Sequence, residues 1–239
     1  MNRFNIVLSL TFMVVAGTGD CPTLLAKEVV FQSGSSRFKG HLAVPNGVGP
    51  FPAVIFLHGG MGPPAVAQMA AVQRLVEVLA QAGFVGFAPI RRQDPFLAGN
   101  VQDVITAIDY VKNVNAKRLA IIGFSRGGLL AFMSSTRRSD LKAVVLMAPA
   151  HGRGALRRFL ADARNVTAPT LILVARNDTK QADHVRISRQ INATLKETGK
   201  ESRLIVYPPY QRDGHRLFFK VRQNYWQDVE KFLKNHLGG

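Results

Sequence analysis

Short unbroken runs of apolar residues alternate along this chain with longer stretches in which apolar residues return every three or four positions. The first kind covers 51–57, 84–88, 118–124, 142–148, 169–175 and 203–207. Segments this short, with no polar face, read as strands buried on both sides of a sheet. The second kind covers 66–82, 101–114, 127–135, 183–198 and 224–237. Met69, Val72, Leu75, Val76 and Leu79 mark one helical face in the first of these, and Val104, Ile105, Ile108 and Val111 mark one in the second. Two further strands, 27–32 and 38–44, flank a Ser/Gly turn and make an antiparallel start. Buried strands alternating with amphipathic helices predict a mostly parallel eight-stranded sheet flanked by helices. No repeat, linker or low-complexity stretch divides it, so a single α/β domain is expected over 27–239.

Composition refines this picture in two places. Apolar content of 47% and charged content of 19% suit a globular chain. The net charge of +16 is large, and such a balance suggests nucleic acid first. The basic residues are scattered, however, and the pairs Arg91-Arg92, Arg137-Arg138 and Arg157-Arg158 are short. No nucleic-acid partner is expected; the charge reads as solvation and attraction to anionic surroundings. The N-terminus opens with Met1-Asn2-Arg3, followed by a nearly continuous apolar stretch over 4–16 and a break at 17–20. That pattern predicts a signal peptide over 1–26, cut after Ala26, that directs the chain to the periplasm or the exterior, with a buried first helix or a retained anchor as the alternative. The apolar stretch is too short for a comfortable membrane span. Cleavage there removes Cys21, the sole cysteine, so no disulfide is expected.

The chemistry centres on Gly123-Phe124-Ser125-Arg126-Gly127-Gly128. The five-residue Gly-x-Ser-x-Gly pattern is weak by itself. Here an apolar strand enters it and an apolar helix leaves it, which makes a sharp elbow with the serine at its tip. Glycines two before and two after the serine remove Cβ atoms that would collide in so tight a turn.

With His58-Gly59-Gly60 after the third strand, Pro169-Thr170-Leu171-Ile172 and the late Asp213-Gly214-His215, the chain resembles the α/β-hydrolase fold. Within it, the small dienelactone-hydrolase branch without a large lid is the most similar. The same blocks occur in the catalytic domains of prolyl-oligopeptidase-like enzymes. The resemblance implies a serine nucleophile, then an acid, then a histidine in chain order. Ser125 is the nucleophile. Asp178, in the loop after 171–175, is the acid; its rival Asp183 reads as the start of the next helix, where a carboxylate favours the dipole. His215, between the last strand and the last helix, is the base, with Asp213 beside it as a turn former. His184 reads as a surface residue, His58 as part of the loop that shapes the site, and His41, His151 and His236 have no matching context. The oxyanion donors implied are the N–H of Arg126 and that of Met61, with Gly60 as the alternative.

Only 150–168 separates the sixth strand from the seventh, which predicts an open, shallow site for a small or water-soluble acyl substrate. Arginines fall in the loops at the strand ends: Arg91, Arg92, Arg126, Arg153, Arg212 and Arg216. Dienelactone-hydrolase-like enzymes hold a substrate carboxylate with arginine, which puts Arg91, Arg126 and Arg216 forward as substrate contacts. Those enzymes usually carry cysteine as nucleophile. Ser125 departs from that pattern and favours ordinary ester or thioester hydrolysis over a lactone. Histidine or cysteine clusters with ligand spacing, and a phosphate-cradling loop, are missing from the sequence, so no cofactor or metal is expected. The function expected is a serine esterase acting on small esters. A prolyl-oligopeptidase-like peptidase and a binding protein on a hydrolase fold are the alternatives.

Overall fold

A computed structural model describes residues 24–33, 36–60, 65–92, 97–114 and 116–238. Nearly all of the expected leader and Met61 lie outside these residues. Strands β1 (Lys27–Ser33), β2 (Ser36–Ala43), β3 (Phe51–Leu57), β4 (Val85–Pro89), β5 (Ala116–Phe124), β6 (Leu141–Met147), β7 (Thr170–Ala175) and β8 (Ser202–Tyr207) form one sheet. Helices α1 (Ala65–Gln81), α2 (Leu97–Lys112), α3 (Arg126–Ser135), α4 (Ala155–Leu160), α5 (His184–Glu197) and α6 (Tyr225–Leu237) cover it.

The strand order is β1-β2-β4-β3-β5-β6-β7-β8. β2 pairs antiparallel with both β1 and β4, and every pairing from β4 to β8 is parallel. The continuous apolar runs have a physical cause here. Ile121, Val144 and Leu146 face a core built with α2, α3, α4 and α5. Their neighbours Ile122, Ala143 and Val145 face a second core built with α1 and α6. A parallel strand between two helix layers has no wet side, so its sequence does not alternate. Full burial of a residue such as Ile121 contributes about 1.5–3 kcal/mol.

This arrangement brings the C-terminal ends of β3, β5, β6, β7 and β8 to one edge of the sheet, where ligand sites of such sheets lie. The segment after β6 folds as two short 3-10 turns around α4, and Leu156, Phe159 and Leu160 bury themselves in the first core. It is part of the domain's packing rather than a large lid. Helix α2 begins a turn earlier than its apolar spacing predicts, through Leu97-Ala98-Gly99-Asn100. Glycine and asparagine are poor helix formers and hid that turn. None of the helices among the described residues is long and apolar enough to cross a membrane.

Candidate active site

Ser125 joins β5 to α3 with φ 53° and ψ −117°, a left-handed conformation at the N-cap of the helix. A non-glycine residue there is strained by about 1–3 kcal/mol. Backbone bonds on three sides hold it: its N–H donates to the Met147 carbonyl at 2.9 Å, and its own carbonyl accepts from Leu129 N–H at 3.1 Å and Ala150 N–H at 3.0 Å. The flanking glycines are needed for space. A Cβ on Gly123 would stand 2.1 Å from the Gly127 carbonyl oxygen, and one on Gly127 would stand 2.0 Å from that of Leu57. Close approach of backbone to backbone is what the Gly-x-Ser-x-Gly pattern encodes here.

Asp178 lies in the loop after β7 and is 0% exposed. His215, 3% exposed, is the second residue of the 3-10 turn Gly214–Phe219 after β8. Its Nδ1 stands 2.9 Å from Asp178 Oδ2 and 3.1 Å from Oδ1. An ionised carboxylate only accepts, so Nδ1 carries the proton and Nε2 keeps its lone pair. The ring of His215 lies 4.7 Å, centroid to centroid, from that of Phe124, the residue before Ser125. Asp183, the rival acid, instead caps α5 by accepting from Arg186 N–H at 2.8 Å. Asp213 accepts from the backbone N–H of His215 at 3.1 Å, the turn-forming role expected of it.

Three residues at this site have roles that the sequence reading did not assign. Asn177 ties the acid loop to the histidine loop: its Oδ1 accepts from Tyr210 N–H at 2.9 Å and its Nδ2 donates to the Gln211 carbonyl at 3.1 Å. Gly214 lets the two loops touch, since a Cβ there would meet Asn177 Oδ1 and Asp178 N at 2.7 Å. His184, expected at the surface, is 2% exposed. It is the first residue of α5 and shares the buried face of Ile187, Ser188, Ile191 and Leu195. That i, i+3, i+4, i+7 spacing is the signal that would have found it. Its ring stacks on His215 with centroids 4.5 Å apart, and burial holds its pKa below the ordinary histidine value. Ligand atoms of Asp178, His184 and His215 lie within 4.8 Å of one another. The Asp178–His215 separation is that of a hydrogen bond, and a proton fills it.

The loop after β3 passes beside the serine: the Cβ position of Gly59 is 3.4 Å from Ser125 Cβ. His58 is buried beneath it, with Nδ1 donating to the Gly59 carbonyl at 2.8 Å and Nε2 facing Arg91 N–H at 3.4 Å. Burial, reinforced by the neighbouring Arg91, pushes its pKa down to about 4. The guanidinium of Arg91 donates to the carbonyls of His58 at 3.0 Å and Gly59 at 2.8 Å. Arg91, put forward as a substrate contact, commits these two donors to the loop. Burial and nearby Arg126 lower its pKa to about 10. Arg126 is half-buried as the first residue of α3, and Gly60 and Arg216 are exposed. Arg92 is bound to Asp103 by two contacts, at 2.7 and 2.6 Å.

A serine elbow at the edge of an eight-stranded, mostly parallel sheet, between two helix layers, defines an α/β-hydrolase fold. The chain matches the dienelactone hydrolase family over residues 91–237, and it belongs to that family. Among solved structures, a Klebsiella pneumoniae protein assigned as a dienelactone hydrolase aligns with a TM-score of 0.69 over 90% of this chain and 98% of its own, at 19% identity. The esterase Pf2001 of Pyrococcus furiosus aligns at 0.70 over 94% and 98%, at 18% identity. The acylaminoacyl peptidase of Pyrococcus horikoshii aligns at 0.70 over 90% of this chain and 42% of its own, at 16% identity. At these identities the likeness is one of fold. A curated relative, the uncharacterized peptidase YtmA of Bacillus subtilis, is 29% identical over 117 residues. That match spans 45% of this chain and 44% of the relative.

Proposed function

We propose that the protein is a serine hydrolase that cleaves small carboxylic esters through an acyl-enzyme on Ser125. The contact that carries this reading is the one between His215 Nδ1 and Asp178, beside the residue that precedes Ser125. With Nδ1–H committed to the carboxylate, Nε2 of His215 is the free base. It takes the Ser125 hydroxyl proton as Oγ attacks the ester carbonyl. The negative charge that develops on the carbonyl oxygen is met by the N–H of Arg126, aided by the α3 dipole, and by a donor from the loop after His58. The proton then passes to the leaving alkoxide, and the alcohol departs. Water repeats the cycle: His215 accepts its proton, hydroxide adds to the acyl carbon, and Ser125 leaves reprotonated with the free acid released. Asp178 holds the imidazole in the required tautomer throughout and stays ionised. We also propose that the chain acts after export.

Peptide hydrolysis is the second reading, favoured by the peptidase description of the curated relative. Both readings share the serine chemistry, and one experiment separates them. A fluorophosphonate, which needs an activated serine, should label the folded protein and not Ser125→Ala. A panel of esters with matched anilides should then show ester turnover, with kcat lowered on the order of 10⁴-fold in Asp178→Asn. Absence of labelling overturns the hydrolase reading, and anilide turnover matching that of the esters moves it to peptidase.

A further inference from the structure

His184 is a buried titratable side chain that the acyl-transfer scheme does not use. We propose that it is a positioning residue for the acid–base pair: anchored on the Pro149 carbonyl, it fixes the face of His215 and leaves the carboxylate of Asp178 to His215 alone. This rests on the hydrolase reading above.

The tautomer follows from the partner. Nδ1 of His184 lies 3.1 Å from the Pro149 carbonyl oxygen. A proline carbonyl only accepts, so Nδ1 carries the proton. Among the described residues the buried Nε2 has no hydrogen-bond partner, and Asp178 Oδ1 lies 3.9 Å from it. A bare lone pair facing a carboxylate gains nothing for folding, whereas the other buried positions on this face of α5 include Ile187, Ile191 and Leu195.

The placement links the two halves of the site. Pro149 precedes Ala150, whose N–H donates to the Ser125 carbonyl, and its Cα lies 3.0 Å from the Cβ position of Gly128 in the elbow. On the other side, the backbone N–H of His184 donates to the Asp178 carbonyl at 3.1 Å. One residue thus spans from the nucleophile's scaffold to the acid and the base. The ring stack with His215, tilted by 32°, restricts the imidazole that must meet Ser125.

The charge state matters as much as the position. Asp178 from the β7–α5 loop, His215 from the turn after β8 and His151 from the segment after β6 all act on His184. Burial disfavours its cation most, the Asp178 carboxylate favours it, and the two histidines oppose it; the balance lowers the pKa. A protonated His184 would offer Nε2–H to Asp178 in competition with His215. It would also set a like charge against the imidazolium that forms during acyl transfer. The neutral Nδ1–H form avoids both.

The test uses three variants of the full chain. His184→Ala removes ring and donor. His184→Phe keeps a flat ring without the donor, which guards against a mere packing defect. His184→Asn places an amide N–H where Nδ1 stood. We expect kcat for a neutral ester to fall about 10–100-fold in His184→Ala and His184→Phe, with KM nearly unchanged, and to recover in part in His184→Asn, which keeps the anchor and lacks the ring stack. The far-downfield proton resonance of the His215–Asp178 hydrogen bond should persist in His184→Asn and broaden in His184→Phe. Wild-type kcat in His184→Phe, or equal losses in the Phe and Asn variants, overturns the inference. Fluorophosphonate labelling keeps the two levels apart. An unlabelled wild type defeats the hydrolase reading itself, whereas wild-type labelling rates in both His184→Ala and His184→Phe defeat only the role given to His184.

Discussion

At the residue scale, the strain at Ser125 sets stability against activity. Its φ of 53° and ψ of −117° lie where only glycine is at ease. Ser125→Gly should therefore abolish ester turnover while making the fold more stable. Relief of about 1–3 kcal/mol of strain exceeds the cost of about 0.5–1 kcal/mol for a more flexible unfolded chain, leaving a gain of about 1 kcal/mol. Ser125→Ala is the control, since it removes the hydroxyl and keeps the strained backbone. Urea unfolding followed by the fluorescence of the single tryptophan, Trp226, reads the difference. A midpoint for Ser125→Gly at or below that of Ser125→Ala would show that the elbow stores no strain.

At the scale of elements, Arg91 decides between two roles. Its guanidinium holds the His58 and Gly59 carbonyls of the loop that passes the serine. If it braces that loop, Arg91→Met should lower kcat about 10-fold on neutral and carboxylated esters alike, because the misplaced loop disturbs the oxyanion site for both. If it holds a substrate carboxylate, KM should rise for the carboxylated ester alone. We expect the first pattern in paired steady-state assays. This residue also marks where sequence stops being informative. The strands were legible because Ile121, Val145 and their neighbours are buried on both faces, so the runs are unbroken. The elbow at Ser125 and the pairing of Asp178 with His215 were legible because each residue sits in a connection that follows one of those strands. The partners of Arg91, Asn177 and His184 were not, although helical spacing marks His184 as buried. Arg91 and His184 bond to carbonyls on other elements, and Asn177 joins two loops, and a carbonyl partner leaves no trace in the identity of the residue that carries it. Gly127 shows the opposite case, where a contact with the Leu57 carbonyl oxygen does leave one, because only glycine fits.

At the scale of the whole molecule, buried neutral histidines set how stability responds to acid. His58 has its pKa lowered from 6.5 to about 4 by burial first and Arg91 second. Those of His184 and His41 are lowered too, by burial above all. An unfolded chain therefore binds more protons than the folded one between pH 6.5 and about 4. The histidine contribution to stability must fall as pH drops through that window and level off below it. For His58 alone the loss is on the order of 3 kcal/mol. Carboxylates do not confuse the window's upper part. Asp140, held low by its hydrogen bond with Arg138, contributes stability that is lost only as pH falls below 3.8, its unfolded value. The net charge of +16 is the competing cause, because self-repulsion also grows as histidines protonate. Salt separates the two. Repulsion between exposed charges weakens beyond a Debye length of about 3 Å in 1 M salt, whereas the cost of charging a buried imidazole does not. Urea unfolding at about pH 7 and about pH 4.5 in high salt should therefore keep most of the loss, and His58→Gln, which has nothing to protonate there, should lose less. A pH dependence that vanishes in high salt would assign it to the surface charge instead.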